Sequence, residues 1–175
     1  TATAFNTDAD GLGRSMRAEW PHCAIPPRSA VLIGAGGAAA AAACLLARQG
    51  VACSLITRTP DNAERLSSLI TALFPQSPVM DVQPWEALAD RLNASDLIIN
   101  TITVDAAIAW PLASGDGRCV DLRYGAMASG FLAAAQRVHR PTLDGLGMLI
   151  HQGALAFEHW FGIAPDTDMA RARLL

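Results

Sequence analysis

Residues 31–50 read VLIGAGGAAAAAACLLARQG, and this stretch decides the fold. Its first residues, 31–33, are β-branched and aliphatic, which favours a strand. The glycine cluster Gly34-Ala35-Gly36-Gly37 follows and favours a tight turn, and the alanine-rich segment after it favours a helix that Gly50 stops. The stretch therefore predicts a strand, a turn and a helix in immediate succession.

The glycine turn is typical of a dinucleotide-binding site. Gly34 permits the sharp turn, Gly36 lets the backbone approach a pyrophosphate, and the small Ala39 lets helix and strand pack closely. The helix N-terminus offers unpaired N–H groups and a partial positive charge to phosphates. The motif alone is weak, but here a second predicted strand, residues 51–57, completes its context. The residues of the turn that we expect to contact the cofactor are Gly34, Ala35, Gly36, Gly37 and Ala38.

Length and composition set outer bounds on the function. With 175 residues, of which 51% are hydrophobic, the chain can bury one good core. A formal net charge of -3 without a basic run argues against nucleic acid as a partner, and no stretch is apolar enough for long enough to span a membrane. The four cysteines lack C-x-x-C spacing and are interpreted as core residues in a reducing compartment. We therefore expect a cytoplasmic protein without a metal site or a disulfide.

The chain contains no lysine, because all 13 of its basic residues are arginine. Any mechanism that requires a lysine acid, base or Schiff base must obtain that lysine from elsewhere.

The junction after the second strand, Thr57-Arg58-Thr59, bears on the choice of cofactor. In NAD-binding units an acidic residue near the end of this strand binds the ribose hydroxyls. Between Gly34 and Thr59 there is neither Asp nor Glu, and the first acidic residue is Asp61. The guanidinium of Arg58 suits a 2′-phosphate by charge and by donor geometry, although a solvated arginine at a strand end is common. The sequence therefore favours NADP over NAD.

Strands and helices alternate along the rest of the chain. Further strands are predicted over residues 79–82, 96–100 and 119–122, and helices over residues 9–20, 61–74, 85–92 and 130–138. This alternation predicts an α/β fold, a Rossmann-like doubly wound and mostly parallel sheet with flanking helices. The end of the fourth strand, at Asn100 and Thr101, should lie at the cofactor edge of the sheet.

The two ends of the chain carry further candidate residues. Thr7 or Asp8 can cap the first helix, and spacing alone suggests no other role for this segment. Near the other end, residues 143–149 open a helix in which Gln152 follows Met148 by four residues, so both lie on one face. That face can meet a nicotinamide or can simply be packed. His151 is interpreted as a surface histidine.

Four separated strings together resemble the shikimate dehydrogenase family. They are Asn6-Thr7-Asp8 followed by Gly11, the glycine turn, the junction Thr57-Arg58-Thr59, and residues 144–149 with Gln152. The likeness covers nearly the whole chain but only the C-terminal part of the family. It implies a linking helix and a remnant of the substrate-domain junction over residues 1–27, a Rossmann domain over 28–142, and closing helices over 143–175.

The resemblance implies reversible reduction of 3-dehydroshikimate to shikimate with NADPH, a step of aromatic amino acid biosynthesis. In this reading Asp8 matches the catalytic aspartate, which works with a lysine, and Gln152, Tyr124 and Asn6 match residues at the substrate. Beyond the glycine turn, the resemblance implies these cofactor contacts: Thr57, Arg58, Thr59, Thr101, Leu122, Gly145 and Met148.

The sequence departs from the family pattern at several points. The N-terminal substrate domain, with the catalytic lysine, is not in this chain, so we expect it in cis or as a separate chain. Asp105 replaces a glycine of the loop near the nicotinamide, and Ala126 and Ser129 replace a proline and a threonine after Tyr124. Asn62 stands where a second basic residue is expected.

Three readings of the function follow. The first is the NADP-binding part of a shikimate dehydrogenase-like oxidoreductase with a small shikimate-like substrate, inactive without the missing domain. The second is a non-catalytic nucleotide-binding or interaction module. The third is a divergent dehydrogenase of a quinate-like polyol acid. None of them involves nucleic acid or a membrane.

Overall fold

The computed structural model describes residues 3–23, 26–103, 108 and 117–174. Within these ranges, six strands form one sheet in the order β3-β2-β1-β4-β5-β6, and every neighbouring pair is parallel. The strands are β1 (Ser29–Ile33), β2 (Ala52–Ile56), β3 (Asp81–Gln83), β4 (Leu97–Asn100), β5 (Arg118–Asp121) and β6 (Thr142–Leu143). The α/β fold with a parallel sheet is therefore confirmed.

Helices connect and cover these strands. They are α1 (Asp8–Glu19), α2 (Gly37–Arg48), α3 (Pro60–Leu73), α4 (Leu88–Ala94), α5 (Ser129–Arg137), α6 (Leu146–Phe161) and α7 (Thr167–Leu174), with 3-10 turns over Trp85–Ala87 and Gly125–Met127. In the part of the chain that the structure describes, no helix has the length and apolar character needed to cross a membrane.

The sheet is buried on both faces, as expected for a doubly wound fold. Side chains alternate along each strand, so Leu32 packs with α1, α2 and α3 on one face, whereas Val31 and Ile33 pack with α4 and α5 on the other. All three side chains are fully buried. The run at residues 31–33 is continuously hydrophobic because both of its faces are covered.

The order of the strands creates a switch point next to β1. The chain builds outward from β1 to β2 and β3, and then returns to place β4 on the other side of β1. At the carboxyl edge, Ile33 is the register partner of both Ile56 and Asn100. The loops that follow β1, β2 and β4 therefore meet at one edge, where doubly wound sheets bind ligands.

Four details of the sequence prediction are wrong. The third strand occupies Asp81–Gln83 rather than residues 79–82. Leu143 belongs to the short edge strand β6 (Thr142–Leu143) instead of opening the last helix, which begins at Leu146. Thr7 is the N-cap residue of α1 but makes no side-chain capping bond, and Asn6 Oδ1 instead accepts a hydrogen bond from the Asp8 amide at 3.0 Å. Cys23 is exposed rather than part of the core.

Helices α1 and α6 pack closely through small residues. A Cβ added to Gly147 would overlap Ser15 Oγ, and Ser15 itself is buried. One turn before Ser15, a Cβ added to Gly11 would lie 2.7 Å from Gln152, which is one turn after Gly147, so the two helices run antiparallel. This contact brings the start of α1, with Asp8, to the same side of the molecule as the middle of α6.

Candidate functional site

The turn after β1 requires glycine at its first position. Gly34 has φ +107°, and a Cβ built there would lie 2.5 Å from Thr101 Oγ1. Its amide donates a hydrogen bond to the Ile56 carbonyl at 2.8 Å, which continues the pairing of β1 with β2. The conformation disfavours a side chain because other residues rarely adopt this φ. The packing also excludes one, because the Cβ would overlap Thr101 Oγ1.

The next two glycines are open to solvent. Gly36 is the N-cap residue of α2 and Gly37 is its first helical residue. Both are exposed, and a Cβ added to either would have no atom within 4 Å. Ala38 is also exposed, whereas Ala39 is fully buried against the sheet, as its expected packing role requires. The open backbone and the unpaired amides of the first helical turn form a surface that a phosphate can approach.

The Thr57-Arg58-Thr59 junction lies beside this turn, since Ile33 and Ile56 are register partners. Thr57 Oγ1 accepts a hydrogen bond from the Thr59 amide at 3.3 Å, which shapes the bend before α3. Arg58 is exposed and makes no ion pair or hydrogen bond with any residue that the structure describes. Binding of a phosphate to its guanidinium would therefore break no interaction with this part of the chain.

The hydroxyl of Thr101 is engaged within the sheet. Thr101 Oγ1 donates to the Ile33 carbonyl at 2.8 Å, and the Thr101 amide donates to the same oxygen at 2.9 Å. The side chain supports the Gly34 turn from the β4 side. A direct contact of this residue with the cofactor stays a prediction.

Leu122, Gly145 and Met148 come together where β5 ends and α6 begins. Gly145 donates its amide hydrogen to the Arg123 carbonyl at 2.8 Å, and a Cβ at this position would overlap the carbonyl oxygen of Leu122. Leu122 and Met148 are half-buried against the same face of the core as Ala35 of the glycine turn. Three residues that were predicted to contact one cofactor therefore lie on one side of the sheet.

Tyr124 lies in the loop after β5 and is 43% exposed. The loop is held by Asp144, whose Oδ2 accepts from the Gly125 amide at 3.4 Å and whose Oδ1 accepts from the Leu146 amide at 3.1 Å. One carboxylate thus joins the loop that carries the tyrosine to the start of α6.

A buried polar cluster at this edge was missed from the sequence. The Asp121 carboxylate is fully buried and accepts from Asn100 Nδ2 at 3.0 Å and from the guanidinium of Arg123 at 2.8 Å. The available signal was a polar residue, Asn100 or Asp121, at the end of each of two hydrophobic strands. When two such strands are parallel neighbours, the polar side chains at their ends lie close together.

The predicted substrate residues lie at the contact between α1 and α6. Gln152 packs its Cβ and backbone against Gly11, and Asp8 is half-exposed one helical turn before Gly11. No hydrogen bond joins Asp8 to Gln152 among the described residues. Asn6 is exposed, with its side-chain oxygen bound to the Asp8 amide. The roles of these residues in chemistry stay predictions.

His151 is half-buried rather than a simple surface residue. Burial lowers its pKa below the ordinary value, and the nearby Arg14 and Arg171 lower the pKa further. The opposing effect of Asp168 is smaller.

Two of the departures from the family pattern lie at exposed positions. Asp105 lies outside the described residues. Asn62 and Ala126 are exposed, which is compatible with substitution at these positions.

The chain is similar to known proteins over most of its length. A family model described as the shikimate 5'-dehydrogenase C-terminal domain matches residues 145–175. The chain is 34% identical to the shikimate dehydrogenase (NADP(+)) of Hyphomonas neptunium over 171 residues, which are 96% of this chain and 60% of that protein. The chain spans about three fifths of the length of the curated relatives that it matches.

Solved structures show the same architecture. The quinate dehydrogenase of Corynebacterium glutamicum in complex with NAD matches with a TM-score of 0.83 and 27% identity, over 96% of this chain and 61% of that one. The shikimate 5-dehydrogenase of Thermus thermophilus in complex with NADP(H) and shikimate matches with a TM-score of 0.79 and 29% identity, over 98% of this chain and 64% of that one.

Proposed function

This chain belongs to the shikimate dehydrogenase family and spans about three fifths of the length of its relatives. We propose that it is the NADP-binding part of an oxidoreductase. The proposed reaction is the reversible reduction of 3-dehydroshikimate to shikimate. The observation that carries the proposal is the open backbone at Gly36 and Gly37 beside the exposed Arg58 at one edge of the sheet.

Residues at three loops fit the cofactor. The turn from Gly34 to Ala38 would receive the pyrophosphate, since a Cβ at Gly36 or Gly37 has only open space around it. Arg58, with Thr57 and Thr59, would bind the 2′-phosphate by charge-assisted hydrogen bonds. When bound, NADPH supplies the hydride for reduction of a ketone. Thr101, Leu122, Gly145 and Met148 would form the wall on the nicotinamide side.

On the substrate side, Asp8 would exchange the proton of the reacting hydroxyl. Asp8 is half-exposed at the first residue of α1, so its carboxylate is accessible to a substrate at that end of the helix. Gln152, Tyr124 and Asn6 would orient the substrate, because each can hydrogen-bond a ring hydroxyl or a carboxylate. The chain has no lysine to complete the acid–base pair. We therefore expect negligible turnover of shikimate by this chain alone.

The missing lysine and the second wall of the site would come from a substrate domain, in cis or in trans. A groove of about 360 Å³ lies between residues 3–7 and α6, and its walls include Phe5 and His159, whose ring centroids are 3.9 Å apart. Trp160 is 73% exposed beside it, and Phe157 and Phe161 are exposed on the same helix. Exposed aromatic clusters of this kind are typical of surfaces that another domain covers. We propose that the substrate domain packs here.

The division into residues 1–27, 28–142 and 143–175 remains our proposal for the organisation of this part. Since four free cysteines are present in the chain, we also propose a cytoplasmic location.

The test of the proposed function is a titration with NADP(H) and NAD(H), for the wild-type chain and for Arg58→Ala. Loss of the 2′-phosphate contact should weaken NADP binding by roughly 1.5–3 kcal/mol and leave NAD binding nearly unchanged. The matched control is Arg137→Ala, an exposed arginine on α5 whose side chain bonds only to a carbonyl of its own helix among the contacts that the structure describes.

The outcomes separate the three readings. Absence of binding by either nucleotide would favour an interaction module and contradict the proposal. Equal affinities that Arg58→Ala leaves unchanged would contradict the assignment of NADP. If NADP binds, addition of a substrate domain followed by assays with shikimate and quinate separates the proposed enzyme from a dehydrogenase of a quinate-like acid.

A further inference from the structure

We infer that Asp121 and Arg123 are positioning residues that set the geometry of the nicotinamide side of the site. The inference rests on the proposed function and adds to it a pair of residues to which neither the glycine turn nor the resemblance assigns a role. It starts from the hydrogen bonds that converge on one buried carboxylate.

The carboxylate of Asp121 is fully buried at the end of β5. Its Oδ1 accepts from the Arg123 amide at 3.0 Å and from Arg123 Nε at 3.1 Å. Its Oδ2 accepts from the terminal guanidinium nitrogen of Arg123 at 2.8 Å and from Asn100 Nδ2 at 3.0 Å. The Arg123 side chain is only 12% exposed. This bidentate geometry fixes the guanidinium, and with it the backbone that follows β5.

From this pair, hydrogen bonds lead to each segment of the proposed nicotinamide wall. Asn100, which bonds to Asp121, makes two further contacts. Its carbonyl accepts a hydrogen bond from the Leu122 amide at 2.9 Å, and its Oδ1 accepts one from the Ile102 amide at 3.4 Å. The Arg123 carbonyl accepts a hydrogen bond from the Gly145 amide at 2.8 Å. The carboxylate therefore holds two residues, Asn100 and Arg123, whose own backbone and side-chain bonds reach the loops after β4 and β5 and the start of α6.

A purely stabilising role is a poor explanation for this arrangement. Desolvation of two charges costs several kcal/mol, and a buried ion pair is often no more stable than a well-packed apolar pair of the same size. What such a pair does provide is a fixed geometry, since only one arrangement satisfies all of its hydrogen bonds. Here that geometry is set at the edge of the sheet where Leu122 and Gly145 lie.

The pair should affect only one end of the dinucleotide. Asp121 and Arg123 belong to the β4–β5 side of the switch point, whereas Gly36 and Arg58 follow β1 and β2. A change at the pair should therefore disturb the nicotinamide wall while the phosphate-binding turn and the Arg58 junction keep their shape. This separation distinguishes a positioning role from a general loss of stability.

The experiment compares two ligands, NADPH and 2′,5′-ADP, which carries the adenosine and its 2′-phosphate but no nicotinamide. Affinities for both are measured with wild type, Asp121→Asn and Arg123→Lys at a temperature at which circular dichroism shows each protein folded. The matched control is Asp81→Asn on the edge strand β3, where Asp81 pairs with Arg91 at the same 2.8 Å but on the surface.

We expect Asp121→Asn to weaken NADPH binding by roughly tenfold or more, as for the loss of a charged hydrogen bond, with 2′,5′-ADP binding unchanged. Arg123→Lys, which keeps the charge but not the bidentate geometry, should give an intermediate loss of NADPH affinity, and Asp81→Asn should change neither affinity. If Asp121→Asn does not fold, Arg123→Lys decides.

Parallel loss of both affinities, or no change in either, would overturn the positioning role while leaving the proposed function intact. Failure of the wild-type chain to bind either ligand would overturn the proposed function and the inference with it.

Discussion

The α carbon of Gly11 on α1 lies directly against Gln152 on α6, so that a Cβ built at Gly11 would come within 2.7 Å of the Cβ and the backbone nitrogen of Gln152. No rotamer change can relieve this contact, because one of the opposing atoms belongs to the backbone. The missing side chain therefore sets the distance between the helix that begins with Asp8 and the helix that carries Gln152.

Gly11→Ala should force the two helices apart. Alanine favours a helix over glycine by about 1 kcal/mol, but overpacking a close contact costs about 1–3 kcal/mol, so the net effect should be a loss of stability. Urea unfolding followed by circular dichroism measures this change. The control is Gly153→Ala on α6, where an added Cβ meets nothing within 4 Å. That variant should be more stable than wild type by about 0.5–1 kcal/mol, and stabilisation by both substitutions would contradict the close contact.

The glycines of the turn should separate folding from binding. Gly34→Ala places a Cβ at φ +107° and against Thr101 Oγ1, so we expect a loss of about 1–3 kcal/mol of unfolding free energy. Gly36→Ala has open space for its Cβ and changes only an N-cap residue, so the cost should be about 1 kcal/mol or less.

The effect of Gly36→Ala should appear in nucleotide affinity rather than in stability. In the folded Gly36→Ala variant the new methyl group occupies the surface that the pyrophosphate would approach, so NADPH binding, measured by fluorescence titration, should be weakened. Unchanged affinity in that variant would remove Gly36 from the proposed site.

Protonation of His151 should destabilise the native state. Burial and the neighbouring Arg14 and Arg171 hold its pKa in the folded protein below the ordinary value of 6.5. The unfolded chain therefore binds a proton at His151 more readily than the folded protein does. The neutral His151 contributes stability above about pH 6.5, and this contribution is lost as the pH falls through the lowered pKa. The charged groups that face His151 are Arg14 and Arg17 on α1 and Asp168 and Arg171 on α7.

Unfolding free energies measured between about pH 7.5 and pH 5.5 test this dependence. As the pH is lowered, His151→Gln should lose less unfolding free energy than wild type does. The control His22→Gln, at an exposed position, should lose as much as wild type. A steeper loss in His151→Gln would mean that the native state favours the protonated form.

The four thiols should react with a disulfide reagent in a fixed order. Cys23 is exposed and should react first. Cys44 is half-buried, and its burial raises its pKa more than Arg48 lowers it, so it should react slowly. Burial raises the pKa of Cys53 and of Cys119 to about 12, and both should react only after unfolding. Fast reaction of a second thiol in the native protein, identified by mass spectrometry, would contradict the buried positions.

Features that depend on residues close together in the sequence were predictable. The strand, turn and helix at residues 31–50 followed from a hydrophobic run, glycines and alanines, and the structure has them at Ser29–Ile33 and Gly37–Arg48. Arg58 could be placed at the end of β2 because that strand is bounded by Thr57 and Pro60. In each case neighbouring residues carry the signal, because backbone preference and hydrophobic period act over one or two turns.

Residues whose conformation depends on distant partners were not predictable. Thr142–Leu143 are too few to show a strand period and form β6 only because they pair with Cys119 and Val120.

By itself, the sequence determined the parallel α/β fold, the position of the glycine turn and the presence of an arginine beside it, because these depend on short-range preferences. Only the tertiary structure decided that Asn100, Asp121 and Arg123 share one buried cluster and that Gly11 meets Gln152. Asn100 and Asp121 are 21 residues apart in the chain and come together only when β4 pairs with β5. Such contacts arise from the packing of whole elements, so the polar residue at the end of each strand indicates the Asn100–Asp121 contact only once the pairing of the strands is known.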